Sequence, residues 1–374
     1  MRVLAALSGG VDSSVAAARM VAEGHEVIGV TMKLWEGPNG EAPTAGCCTV
    51  SDAEDARRVA GVLGIPYYVL DYTDEFADGV VDRFVTDYAA GRTPNPCIEC
   101  NRTVKFDRLL GHADELGCDL LVTGHYARVE ERDGSWHLLR GVDRTKDQSY
   151  VLTMLGQAEL ARIRFPVGAM TKTETRAEAA KIGLRTADKP DSQDICFVGQ
   201  GDYRDLVRRL APSAAEPGEV VDLDGSVVGS HGGVMDFTVG QRRGLGVAVG
   251  EARYVVELRP DRREVVLGRR DDLAASGALV EAVSWVSGQP PVSEGGLSAK
   301  IRYRAQPAPI STLRGSGDHW EVQFVEPEAA VAPGQTLAIY RGEDVLGGGI
   351  IRRAVGQASS SSSSASSSAS SAAS

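Results

Sequence analysis

The chain has 374 residues, with 40 Lys+Arg against 51 Asp+Glu for a formal charge of −11, and 43% hydrophobic residues. That length predicts two or three domains with a sizeable core, and no apolar run approaches the roughly 18 residues of a membrane span. Six cysteines are too sparse for a disulfide scaffold, so a reducing cytoplasm is expected; the acidic balance argues against wholesale nucleic-acid coating but leaves room for a local basic groove.

Met1 to Gly10 has too short an apolar run for a secretory leader. Val3–Leu7 reads as a buried strand, broken at Ser8-Gly9-Gly10, and Ser13–Glu23 as a helix of small residues. Strand His25–Met32, helix Asp52–Leu63 capped by Ser51 or Asp52, strand Tyr67–Leu70, helices Asp74–Ala90 and Val104–Leu116, and strand Asp119–Thr123 follow. This alternation predicts an α/β, Rossmann-like domain: a parallel sheet with helices on both faces. Arg128–Arg140 reads as a hairpin around Asp133-Gly134. Ala158–Arg164 and Thr173–Ile182 read as helices, the second capped by Thr171 or Thr173, and Asp188–Gly201 as a polar loop. Beyond Ala211-Pro212 the chain turns to Gly, Val and short strands, among them Ala299–Tyr303, Trp320–Phe324 and Thr336–Tyr340. That pattern predicts a small central domain and a C-terminal β-barrel. The expected division is 1–205, 206–275 and 276–357, with 358–374, only Ser and Ala, as a disordered tail.

Ser8-Gly9-Gly10-Val11-Asp12-Ser13 lies between a strand and a helix. Glycines let several N–H groups face one anion, and the helix adds its positive end. Asp12 offers a carboxylate to Mg²⁺ bridging phosphates. The Lys of GxxxxGK[ST] is absent, so a nucleotide is implied but not that class of NTPase. Asn95-Pro96-Cys97-Ile98-Glu99-Cys100 holds one CxxC, which admits half a zinc site, a redox pair, or a catalytic thiol with a neighbour. Arg102 and Lys105 follow within two helical turns, where positive charge lowers a thiol pKa. Cys196 sits in a polar loop, an unusual place for a core cysteine; Cys118 begins an apolar strand, and Cys47-Cys48 lie in a loop near the proposed nucleotide.

The first string resembles the PP-loop of ATP pyrophosphatases, which split ATP to AMP and pyrophosphate. With GRTPNPCIECN, VTGHYA, KDQSY, SQDICF and FTVGQRRGLG in order, the chain resembles the tRNA-specific 2-thiouridylase family. The resemblance extends to Arg302-Tyr303 and Pro333-Gly334-Gln335. It implies ATP contacts at Ala6, Leu7, Ser8, Gly9, Gly10, Val11, Asp12, Ser13, Met32 and Gly124. It implies Cys196 as the persulfide carrier and Cys100 as the nucleophile, and RNA contacts at Asn95, Pro96, Cys97, His125, Lys146, Asp147, Gln148, Arg302, Tyr303 and Gln335. The reaction implied is adenylation of the wobble uridine at its C2 oxygen, then sulfur transfer. Many members have Asp where Cys97 stands. With three thiols, Cys97, Cys100 and Cys196, a [4Fe–4S] cluster is an open alternative.

The partners implied are tRNA with Lys, Glu or Gln acceptors and a sulfur-relay or cysteine desulfurase donor, met by a cytoplasmic monomer. Basic residues expected near the RNA include Arg102, Lys105 and Arg108; Arg144 and Lys146; Arg242 and Arg243; and Lys300, Arg302 and Arg304. The rivals are another ATP pyrophosphatase, such as an amide-forming or tRNA-lysidine synthetase, and a non-catalytic RNA- or metal-binding protein.

Overall fold

The computed structural model describes residues 1–36, 49–191, 195–198, 202–247, 250–292 and 295–357. The expectations for Cys47, Cys48 and the 358–374 tail lie outside the described residues. The first strand, β1 (Arg2–Ala6), is apolar on both faces because it lies inside a sheet. It is followed by α1 (Val11–Ala22), β2 (Glu26–Lys33), α2 (Val50–Leu63) and β3 (Tyr67–Asp71). Then come α3 (Thr73–Phe76), α4 (Asp82–Ala89), α5 (Pro96–Glu99), α6 (Asp107–Glu115) and β4 (Leu120–Val122). The cap of α2 is Thr49, not Ser51 or Asp52; Asp52 closes a capping box with it. The α8 helix (Lys172–Lys181) is capped by Thr171 in the same way.

The expected helix 158–164 is shorter. α7 spans Gln157–Arg162, and Ile163–Arg164 forms β7, an edge strand beside β4. The sheet order is β3-β2-β1-β4-β7, with every pairing parallel. Val3, Ala5 and Leu7 point to one core with α1, α2 and α8, while Leu4 points to a second with Phe76, Phe84 and Leu109. Helices thus cover both faces. Strand order reverses between β1 and β4, the place where ligands meet such sheets.

Two helices expected as single rods contain wide π turns, at Ala77–Val81 and Cys100–Phe106. These turns face each other: a Cβ on Gly79 would lie 3.3 Å from Thr103 Oγ1. Thr103 donates its hydroxyl back to the Glu99 carbonyl at 2.8 Å, the i−4 contact by which Thr disturbs a helix.

The hairpin β5 (Ala127–Arg132) and β6 (Ser135–Arg140) appears as expected, but it does not stay with its own domain. β6 pairs with the last strand, β17 (Asp344–Val355). After α9 (Tyr203–Leu210), the strands β8 (Gly218–Asp222), β9 (Val227–His231), β10 (Tyr254–Arg259) and β11 (Glu264–Gly268) form a four-stranded sheet ordered β10-β11-β8-β9. The C-terminal strands are β12 (Ala274–Trp285), β13 (Leu297–Lys300), β14 (Ala308–Ser316), β15 (His319–Ala329) and β16 (Thr336–Arg341), with β17. They run β12-β15-β14-β13-β16-β17, and β12 pairs with β17 to close a barrel. The expected strand 299–303 ends at Lys300; Arg302 and Tyr303 lie in the turn beyond it. That turn leaves the sheet and exposes both side chains. No helix of the described residues is long and apolar enough to cross a membrane.

Candidate active site

The loop after β1 is shaped by close backbone contact. Gly9 has φ +69°, and a Cβ there would fall 2.2 Å from the Asp52 carbonyl oxygen, so only glycine fits. Gly124, after β4, lies against the same loop from the other side; its Cβ would meet Ser13 N at 2.5 Å. Inside the loop, Ser8 N donates to Ser13 Oγ at 3.1 Å, and Ser14 Oγ donates to the Gly10 carbonyl at 2.7 Å. Gly10 is the N-cap of α1 and brings no side chain to it. The first N–H groups of α1 are therefore left to an anion.

A cavity of about 180 Å³ opens here. Its walls include Ala6, Leu7, Ser8, Asp12, Ser13, Met32 and Gly124, together with Lys105, His125 and Gln148. His125 packs against both Phe106 and Phe165, each ring 5.8 Å away. Burial pushes its pKa down to about 3, helped by the Lys105 charge, so the imidazole is neutral. Its Nδ1 lies 2.7 Å from Thr123 Oγ1. Gln148 accepts from Tyr126 N at 2.9 Å.

Asp12 is engaged. Lys172 Nζ lies 2.8 Å from both of its carboxylate oxygens, and Tyr126 donates its hydroxyl to it at 2.8 Å. Lys172 also reaches Asp191 at 2.8 Å, and Asp191 is met by Lys146 at 2.7 Å and Arg176 at 3.0 Å. Burial alone would raise the Asp191 carboxyl, but hydrogen bonds from Lys146 and Lys172 overcome it and hold it down at about 2. Lys189 binds Asp52, Asp55 and the Gly9 carbonyl at 2.7, 2.7 and 3.0 Å. The chain leading to Cys196 is thus tied at Lys189 and Asp191 to the loop after β1.

The thiol helix starts at a built N-terminus. Asn95 Oδ1 accepts from Cys97 N at 3.1 Å, and Pro96 occupies N1, where its missing N–H costs nothing. Cys97 is exposed and Cys100 is buried. Cys196, half-buried, packs against the same core cluster that contains Cys100. Arg102, expected to act on a thiol, instead pairs with buried Glu99 at 3.4 Å, as does Arg83 at 3.1 Å. The loop before this helix is held from afar. Thr93 N donates to the Pro333 carbonyl at 2.8 Å, Gln335 Nε2 donates to the Thr93 carbonyl at 2.7 Å, and Arg92 pairs with Glu281 at 3.1 Å.

Of the residues expected to meet RNA, Asp147 is buried, accepting from Arg140, Gly141 N and Ser149 N. Tyr303 is 39% exposed. Burial raises its phenol, and the Asp147 charge raises it further. The basic clusters are thinner than the sequence implied. Arg144 pairs with Glu343, Lys146 with Asp191, and Lys300 is buried. Arg108, Arg242, Arg243, Arg302 and Arg304 remain exposed.

Residues 1–200 match the family described as tRNA methyl transferase HUP domain, 204–269 its PRC-barrel domain, and 275–351 the aminomethyltransferase beta-barrel domain. A tRNA-specific 2-thiouridylase from Chloroflexus aurantiacus is 48% identical over 94% of this chain and 98% of its own length. One from Geobacter metallireducens is 48% identical over 95% and 97%. The chain belongs to the tRNA-specific 2-thiouridylase family. A solved 4-thiouridine synthetase–RNA complex with bound ATP shares 18% identity over 57% of this chain and 50% of that one, at a TM-score of 0.36, too low to carry fold or function.

Among the described residues, which include Cys97, Cys100 and Cys196, no group of three His, Cys, Asp or Glu could hold a metal ion. Asp12 is already held by Lys172 and Tyr126, both of which bond its Oδ1, while Oδ2, among the described residues, meets Lys172 alone. Sequence reasoning missed Lys172, Tyr126 and Lys189. One signal was available for Lys172: it is the first residue of α8, where the helix dipole disfavours a cation unless a carboxylate waits for it.

Proposed function

We propose that this enzyme of the 2-thiouridylase family activates the C2 oxygen of a wobble uridine with ATP, releasing pyrophosphate, and then replaces AMP with sulfur. The observation that carries this reading is the shared cavity. The loop after β1 and Gly124 line it together with His125 and Gln148, two residues assigned to RNA contact. Nucleotide and base would therefore meet at one place.

In this reading the N–H groups at the start of α1 and the hydroxyls of Ser8 and Ser13 hold the phosphates. The base leaves its stack to reach them, guided by Asn95, Pro96, Cys97 and Lys146, with Arg302 and Tyr303 on the barrel side. Asp147 and Gln335 act by holding backbone. Cys196 brings the sulfur as a persulfide. Its terminal sulfur attacks C2 and AMP leaves. The Cys100 thiolate then attacks the Cys196 sulfur, closing a Cys100–Cys196 disulfide and freeing 2-thiouridine; an external dithiol resets the pair. In the variant order, Cys100 first releases sulfide, which attacks C2. Either order needs the two Cα atoms within about 7 Å at closure. We assign nucleotide and thiol chemistry to 1–205 and RNA holding to 206–275 and 276–357. The substrates are tRNAs with Lys, Glu or Gln acceptors, and the enzyme is a cytoplasmic monomer loaded by a desulfurase or relay protein.

The test is reconstitution with ATP, Mg²⁺, a persulfide donor and unmodified tRNA, read by nucleoside mass spectrometry and by the nucleotide product. 2-Thiouridine with AMP is expected. ADP in place of AMP, or no sulfur in the RNA, would overturn the reading.

A further inference from the structure

Lys300 closes β13, one residue of chain away from the turn that carries Arg302 and Tyr303. Only 7% of it is exposed. Its ammonium lies 5.6 Å from the centre of the Tyr150 ring and 5.5 Å from that of Tyr303, within the reach of a cation–π contact. The two rings meet edge to face, 6.2 Å apart at 61°. Tyr150 cannot yield. It is fully buried, and its hydroxyl donates to the Thr336 carbonyl at 2.6 Å. Tyr303 differs: one side of it meets the cation and Tyr150, and 39% of it is open.

Burying an ammonium is costly without compensation. Burial does lower its pKa; the Asp147 charge opposes this, and the Arg140 charge adds to it. Rings are a poor replacement for water unless the contact serves a purpose, and an unbranched apolar residue would fill the same space. What the cation adds is direction: it favours the ring face over the edge and so selects one orientation of Tyr303.

We propose that Lys300 is a positioning residue for RNA: set against both Tyr150 and Tyr303, it fixes the plane in which Tyr303 stacks on an unpaired base. This rests on Tyr303 meeting RNA, as assigned above. Lys300 itself touches no phosphate, because too little of it reaches solvent.

A double-mutant cycle on the full chain tests this. The dissociation constant of unmodified tRNA is measured across a range of salt for the wild type, Lys300→Met, Tyr303→Leu and the double variant. Met keeps length and apolarity but loses charge. Lys300→Met should weaken binding about fivefold or more, within what a lost stacking contact costs, and should leave the salt slope unchanged. In the Tyr303→Leu background the same change should matter less than about twofold. An equal loss in both backgrounds, or no loss, overturns the proposal. A salt slope reduced by about one also overturns it, since that marks a direct phosphate contact. If Lys300→Met fails to fold, Lys300→Arg carries the test: it keeps a cation on the rings, so affinity within about twofold is expected, and a larger loss counts against the proposal. If Tyr303→Leu binds as the wild type does, the assignment of Tyr303 itself fails; if it weakens binding while Lys300→Met does not, only the role of Lys300 fails.

Discussion

At the loop after β1, backbone presses on backbone. Gly9 meets Asp52, and Gly124 meets Ser13, at distances no side chain could share. At the thiol end, by contrast, the 91–95 loop is held by contacts that span 145 to 242 residues of chain, from Thr238, Glu281 and Gln335. The first end is a property of one sheet and the helix that follows it. The second exists only after all three parts of the chain have met. A phosphate needs fixed dipoles, which a sheet and helix supply cheaply. A large folded RNA needs surfaces from more than one domain.

Substitutions should separate the two ends. The largest effect is expected at the thiols. Cys100→Ser and Cys196→Ser should each lower 2-thiouridine formation on the order of 10³-fold or more while nucleotide binding persists, because each removes one member of a unit; full turnover in either variant would remove that cysteine from the reaction. Gly124→Ala should do the reverse. The added Cβ overpacks against Ser13 and should cost about 2 kcal/mol, seen as a lower melting temperature and loss of ATP binding. If ATP binding survives, the close approach is not what shapes the site. Lys172→Met strips the ammonium from Asp12 and Asp191 and should cost about 2 kcal/mol. Its effect on AMP formation should exceed its effect on tRNA affinity, and the opposite ranking would move Lys172 to the RNA side.

Smaller effects follow at the seam. Gln335→Leu loses the bond to the Thr93 carbonyl, worth about 1 kcal/mol, and should weaken tRNA binding several-fold with ATP affinity unchanged. A fall in ATP affinity would show the two ends to be one unit. The smallest is a pH effect. His125 has its folded pKa depressed to about 3 from 6.5, so the unfolded chain binds the extra proton first. Its contribution is fully present above pH 6.5 and is lost as pH falls toward 3. Denaturation midpoints at pH 7 and pH 5 should therefore differ more for the wild type than for His125→Gln.

The same contrast decides what could be read from sequence. The alternation of Val3–Leu7, Ser13–Glu23 and His25–Met32 carries its own period, so the parallel sheet was legible. So was the glycine loop, because contiguous residues make it. β7 was not, since two residues after a helix have no period to show, and only the neighbouring β4 makes them a strand. The strand expected through Tyr303 ends early because the turn takes over at Arg302. The ion pairs were hidden too. Lys172 and Asp12 are 160 residues apart, and spacing cannot predict that a basic cluster will be spent on Glu343 or Asp191.

The hairpin of β5 and β6 has a consequence for how the chain is made. Leu139 pairs with Asp344, so the hairpin leaves the ribosome roughly 10 to 40 s before its partner, at about 5–20 residues per second. For that interval the edge of β6 is an open row of backbone donors and acceptors, a template for the wrong strand. Arg128, Arg132 and His137, which later meet Glu343 and Asp344, give that nascent edge charge and polarity while it waits. Truncation before β17 would leave it waiting permanently.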